Sequence, residues 1–337
     1  MNILNKIATL LCLCAPIIQS QTATPGLKVQ QTITLLGVKG KFDHFAMDET
    51  GKRLFAAAAG NQSVEVIDLT SGKVVDSLKG FGKPHGIAWI ASTGKLFVSD
   101  GGKAELAIYS GSPLKRIKTI PLSEDADDMV YDQATGLLYV GHGGTNAANP
   151  AQIAVVDAKN QSLLTNLHVA AHPEALEIDT KRDRIFANIA DAGQVAVIDG
   201  KTRTINATWT LKSAKGNTPL AYDEADNVLL IGCRTPAKII ALDGRSGSEL
   251  STLASSAGAD DLFFDPTTRR AYLISGEGAI DTVTLASDGI LKPVTVSRTV
   301  TGAKTGLLDL RNGLFYIGIP GTTAPAAIRI YQTSATK

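Results

Sequence analysis

The sequence predicts an all-β fold: a seven-bladed β-propeller of four-stranded blades, its ring closed by the N-terminal strand. Three observations carry this. One pattern recurs seven times along the 337 residues: an apolar strand, a tight turn, a second apolar strand, a polar loop, an alternating strand and a fourth strand. Its anchors, Asp48, Ile90, Asp132, Asp179, Asp223, Asp265 and Leu308, stand 42, 42, 47, 44, 42 and 43 residues apart, the span of four short strands. The last repeat lacks a fourth strand, while residues 27–35, LKVQQTITL, alternate like one and have no repeat of their own. Pairing the two ends closes the ring and removes a sheet edge. A solenoid of the same period would need caps and has no reason to split one repeat between both termini.

In chain order, residues 1–20 read as a signal peptide. Lys6 precedes an apolar run from Ile7 to Ile18 that is short and broken by Pro16, a poor bilayer span. Cys12 and Cys14 each follow Leu, where a lipidated cysteine expects a small residue. Cleavage leaves Cys233 alone, so stability in an oxidising compartment must come from packing. Cys233 is expected to be an apolar filler at a strand end rather than a nucleophile activated by Arg234. The chain is expected in the periplasm or secreted, with no transmembrane segment after processing.

Residues 21–337 are expected to form one propeller domain, with blades at 42–80, 84–121, 126–168, 172–211, 217–254, 259–297, and 27–35 joined to 301–331. Second strands run from LFAAA at Leu54 to FYIGI at Phe315, and third strands from VEVID at Val64 to IRIYQ at Ile328. No long helical period appears. The 33 basic and 32 acidic residues leave a net charge of +1, which argues against a nucleic-acid partner.

VEVIDLTSGKVV (Val64 to Val75), preceded by GKRLFAAA (Gly51 to Ala58), resembles the YVTN-type repeat of the YncE-like bacterial β-propellers. The resemblance covers essentially the whole mature chain and implies the propeller fold. Activities across such a shared shape differ, so it implies no one chemistry. His85 in PHGIAW (Pro84 to Trp89) and the paired Asp of two blades depart from the usual repeat.

The first strand of each blade lines a propeller's central channel, so residues near its start converge. Five positions before each anchor stand Asp43, His85, Asp127, Glu174, Thr218 and Asp260; Lys304 stands four before Leu308, with a one-residue loop difference allowed. His44, Asp128 and Asp261 follow ring members directly. Carboxylates so gathered repel by roughly 4 kcal/mol per pair at about 4 Å and an effective dielectric near 20, which a cation, a cationic ligand or Lys304 would relieve. About half of these carboxylates are expected to cap their own turns instead. From neighbouring loops Asp100, His142, Asn188, Arg234 and Glu277 are expected at the same face. The insertion GHGGTNAANP (Gly141 to Pro150) would either cover the mouth or form an ordinary turn.

This pattern points to an exported binding or interaction module with an acidic, His-containing funnel for a small ligand, a metal or a peptide, or to a protein partner. Expected ligand contacts are Asp43, Lys304, Thr218, His142 and Arg234. Expected metal ligands are Asp127, Glu174 and Asp260, for Ca²⁺ if carboxylates dominate and Zn²⁺ or Mn²⁺ if His44 and His85 join. The alternative is a metal-dependent enzyme similar to propeller lactonases or lyases, with His85 or His44 as catalytic base. A third reading is a subunit similar to the propeller chain of quinoprotein dehydrogenases. No nucleophile elbow, phosphate loop or dinucleotide fingerprint is present: GFGKPHG (Gly80 to Gly86) has Pro84 where a phosphate loop needs Ser or Thr.

Overall fold

The computed structural model describes residues 26–48 and 52–333; the expected signal peptide, 1–20, lies outside the described residues. Among the described residues, twenty-eight strands form seven four-stranded sheets. Six sheets follow chain order, and in the seventh the order is Lys28–Leu35, Ala326–Gln332, Leu314–Ile319, Gly306–Asp309, so the first strand of the chain closes the last blade. It pairs antiparallel, from Lys28 opposite Gln332 to Leu35 opposite Ala326, with Ile33 and Leu35 buried. One short 3₁₀ turn, Ala59–Asn61, is the single helical element among the described residues, and none of their helices could cross a membrane.

The second and third strands of each blade are apolar on both faces because neighbouring sheets stack against them; RLFAAA (Arg53–Ala58) and ELAIYS (Glu105–Ser110) are buried almost throughout. Seven apolar clusters fill the space between blades. That between the last and first blades joins Phe42, Phe45 and Leu54 to Tyr316 and Ile328. Outer strands such as KRIKTIP (Lys115–Pro121) are largely exposed and charged, which protects the edge from pairing with another chain.

Each anchor closes the turn between first and second strands. Asp132 Oδ1 accepts from Ala134 N at 2.9 Å, and Asp265 Oδ1 from Thr267 N at 2.9 Å. Anchors pair with the residue five positions on: Ile90 with Lys95, Asp179 with Arg184, Asp223 with Val228. In the last blade it is Asp309 that pairs with Leu314 and accepts from Arg311 N at 3.0 Å. The seventh anchor is therefore Asp309, not Leu308, and Lys304 stands five before it like every other ring member, with no loop difference required.

The insertion neither caps the mouth nor forms a loose turn. It lengthens a hairpin, Leu137–Asn146 against Asn149–Asp157, paired out to Asn146 and Asn149. Cys233 lies inside the strand Val228–Thr235 rather than in a loop after it; it is fully buried, and burial pushes its thiol up to about 12. That is the filler role, not a nucleophile.

Candidate functional site

First strands carry a register shift where they meet the channel. Pairing skips between Pro84 and Ile87, Pro173 and Leu176, Asn217 and Leu220, and Ala259 and Asp261. An extra residue at such a bulge breaks the strict alternation of faces. In the first and third blades Asp43 N and His44 O both bond to Ala57, and Asp127 N and Asp128 O both bond to Gly141, so two residues face one and consecutive side chains reach the channel.

All seven ring positions, Asp43, His85, Asp127, Glu174, Thr218, Asp260 and Lys304, line one cavity of about 250 Å³. Arg234 joins them. Four further polar lining residues, Lys41, Lys83, Asp125 and His172, were not assigned to the site from sequence. Each stands two residues before a ring member, in the segment that leads into the first strand of its blade.

The acids and imidazoles of the first three blades draw together. His85 Nδ1 lies 2.7 Å from Asp43 Oδ2 and 3.3 Å from Asp127 Oδ1. His44 Nε2 lies 3.7 Å from Asp43 Oδ1 and 3.9 Å from Asp127 Oδ1, while its Nδ1 lies 3.3 Å from Asp261 Oδ1 and 4.0 Å from Asp128 Oδ1. His172 Nε2 approaches Asp127 Oδ2 at 3.4 Å, and its Nδ1 donates to the Gly143 carbonyl at 2.7 Å. On the other side Asp260 takes Arg234 on one oxygen and Lys304 on the other, and Arg234 Nε donates to Ala259 O at 2.9 Å.

These contacts divide the titrations. Burial alone would raise Asp127, but His172, His85 and His44 outweigh it and hold the carboxyl well below its usual range. Asp43 is likewise held low, burial being overcome by His85 and His44. Burial would lower His44, yet Asp128, Asp261 and Asp43 keep it protonated well above the ordinary imidazole range. His172 moves to about 9: burial opposes the shift, and Asp127 with the Gly143 carbonyl imposes it. Burial raises Asp128 to about 6, and burial with the nearby Asp127 charge raises Glu174 to about 7. Asp260 is raised by burial in spite of Lys304, while Lys304 is raised by Asp260 and Asp43 in spite of burial.

Several expectations need correction. His142 does not line the cavity: it is buried, its Nδ1 accepts from Ser123 N at 3.0 Å, and its Nε2 donates to Asn166 Oδ1 at 3.2 Å, a neutral ring that burial keeps neutral. Of the other loop residues, Asp100 accepts from Gly82 and Lys83 N–H groups, Asn188 donates to the Thr218 and Pro219 carbonyls, and Glu277 faces Arg298. The trio expected to hold a metal is split, since Asp260 is committed to two cations. Among the described residues the potential ligand atoms that do meet, within 4.8 Å, belong to Asp43, His44 and Asp127. His44 is an imidazolium here and not a free base. The second acids of the pairs also reach beyond their own turns: Asp128 Oδ2 accepts from Leu176 N at 3.4 Å and Asp261 Oδ2 from Gly306 N at 2.8 Å, each linking its blade to the next.

His44, Asp128 and Asp261 also line a second cavity of about 160 Å³ together with Glu177. His44 lines both cavities, so its ring stands between them.

No family model matches the chain. The uncharacterized protein YncE of Salmonella typhimurium is 25% identical over 149 residues, 43% of this chain and 41% of that protein. The chain thus matches about two fifths of the length of this curated relative. The match and the seven blades together support a YncE-like propeller family. Solved structures agree on shape. The hydrazine synthase of Kuenenia stuttgartiensis superimposes with a TM-score of 0.78 at 15% identity, over 92% of this chain and 100% of that one. A chain of a mitotic checkpoint complex gives 0.77 at 13% over 98% and 100%, and U3-55K gives 0.76 at 12% over 91% and 100%. At such identities the likeness is one of fold alone.

Proposed function

We propose that this YncE-like chain is an exported binding module whose central cavity takes a small polar molecule or a short peptide carrying charges of both signs. One observation carries the reading: side chains from all seven blades line a single cavity, with acids and imidazoles on one side and Arg234 and Lys304, sharing Asp260, on the other. Such convergent polar groups orient a ligand, and a structural ring would not need seven of them. The test is a thermal-shift and calorimetric screen with amino acids, short peptides, sugar acids and dicarboxylates on wild type and Lys304→Ala. A hit weakened at least about tenfold by Lys304→Ala, roughly 1.4 kcal/mol, supports the reading. A panel without hits, or hits indifferent to that change, removes it. Export is tested by fractionation and N-terminal sequencing; a cytoplasmic chain retaining residues 1–20 sinks that part.

A second reading, a metal-dependent lactonase or lyase, is favoured by Glu174. A carboxyl titrating near 7 on the cavity wall can take or give a proton at neutral pH. Lactone turnover abolished by Glu174→Gln, with ligand binding retained, would install it.

A further inference from the structure

The four groups nearest one another in the cavity alternate acid and imidazole around a closed ring: Asp43, His85, Asp127, His44. Asp127 Oδ1 lies 3.3 Å from His85 Nδ1 and 3.9 Å from His44 Nε2, and Asp43 turns one oxygen to each imidazole, Oδ2 at 2.7 Å from His85 Nδ1 and Oδ1 at 3.7 Å from His44 Nε2. Donors bound at about 2.1 Å to one tetrahedral ion sit roughly 3.4 Å apart, so these distances bracket the spacing a coordination sphere requires. A second observation is independent of that clustering. His85 is 4% exposed, and neither ring nitrogen makes a directed hydrogen bond, although Nδ1 lies within reach of two carboxylates. A buried imidazole left so is costly unless something else satisfies it.

We propose that Asp43, His44, His85 and Asp127 bind one divalent cation of the Zn²⁺ or Mn²⁺ class between the two cavities, the His44 Nε2 proton leaving to solvent as the ion takes its place. Two carboxylates balance its charge, and two imidazoles favour a borderline ion over Ca²⁺, which prefers an all-oxygen shell. The surroundings are those of a built site. Asp261 holds His44 Nδ1 at 3.3 Å, leaving Nε2 toward Asp43 and Asp127, and Asp261 is itself fixed by Gly306 N at 2.8 Å. The adjoining cavity leaves room for a ligand oxygen on the ion. The inference deepens the binding reading and rests on it for the place of the site, but its test needs no organic ligand.

The purified full chain, stripped with EDTA, is titrated with Zn²⁺, Mn²⁺ and Ca²⁺ by calorimetry, and imidazole nitrogen shifts are followed by NMR during the Zn²⁺ titration. Expected are one Zn²⁺ per chain, Ca²⁺ weaker than Zn²⁺, shifts at His44 and His85 with His142 and His168 unmoved, and at least a tenfold loss of affinity in His85→Ala and Asp127→Asn. Absence of stoichiometric binding, tighter Ca²⁺ than Zn²⁺, or Zn²⁺ shifting other imidazoles while sparing His44 and His85 overturns it. The wild-type spectra decide even if a variant fails to fold. No metal binding alongside a Lys304-dependent organic ligand would sink the metal and spare the funnel.

Discussion

Gly86 and Asp127 meet across two blades so closely that a Cβ on Gly86 would lie 2.5 Å from the Asp127 carbonyl oxygen. Ser99 joins them: its hydroxyl accepts from Gly86 N at 2.7 Å and donates to Asp127 O at 2.6 Å. This approach sets His85 beside the Asp127 carboxylate. Because the obstructing atom is backbone, Gly86→Ala is expected to cost about 1–3 kcal/mol. Denaturant unfolding measures it, and a variant within about 0.5 kcal/mol of wild type would show that the two blades are not held at this distance.

Glu177 sits between the second cavity and a neighbouring one, pushed up to about 8 by burial and then by Asp128. A carboxyl raised in the folded state contributes stability fully present below its unfolded value near 4.5 and lost as pH rises through 8. Glu177→Gln should therefore match wild type near pH 4 and exceed it by about 1–3 kcal/mol at pH 9. Melting temperatures across that range check the sign. A variant less stable than wild type at pH 9 would be the wrong one.

Asp260 neutralises Arg234 and Lys304 at once while only 7% exposed. Asp260→Ala leaves two cations facing each other with no acid between them, and a loss of about 3 kcal/mol is expected. Arg234→Ala should cost far less, because that guanidinium is 41% exposed and Asp260 keeps Lys304. Equal losses would mean that the pairing is not shared as described.

Leu35 ends the strand that closes the ring and is fully buried. If closure bears on the whole molecule, Leu35→Ala should cost about 2–5 kcal/mol, as much as Leu54→Ala in the middle of a blade. Thermal unfolding compares them. A Leu35→Ala loss under about 1 kcal/mol would make the N-terminal strand an accessory.

The blade count, the strand shared between the termini and the seven ring positions are legible in the sequence, because each rests on a local period repeated at intervals of 42 to 47 residues. Even Lys304 was found, through a misplaced anchor: Leu308 was read for Asp309, since apolar Leu308 continues the strand as Ile90 does and the turn pairing with Leu314 is invisible in one dimension. The rim residues Lys41, Lys83, Asp125 and His172 lie in the segments leading into the first strands, where no strand alternation marks a face. His142 was misjudged because its loop proved to be a hairpin, whose register turns the ring toward Ser123 and Asn166.

Periodicity along the chain therefore settles which residues start each blade, since strand repeats are local and tolerate errors of one position. Which of those residues share a partner is a matter of distances between blades some 40 residues apart, and of bulges that turn consecutive side chains the same way. That is why Asp260 went to Arg234 and Lys304, and why His44, not Glu174, joined Asp43 and Asp127. Charge pairing depends on ångströms, and only the closed ring supplies them.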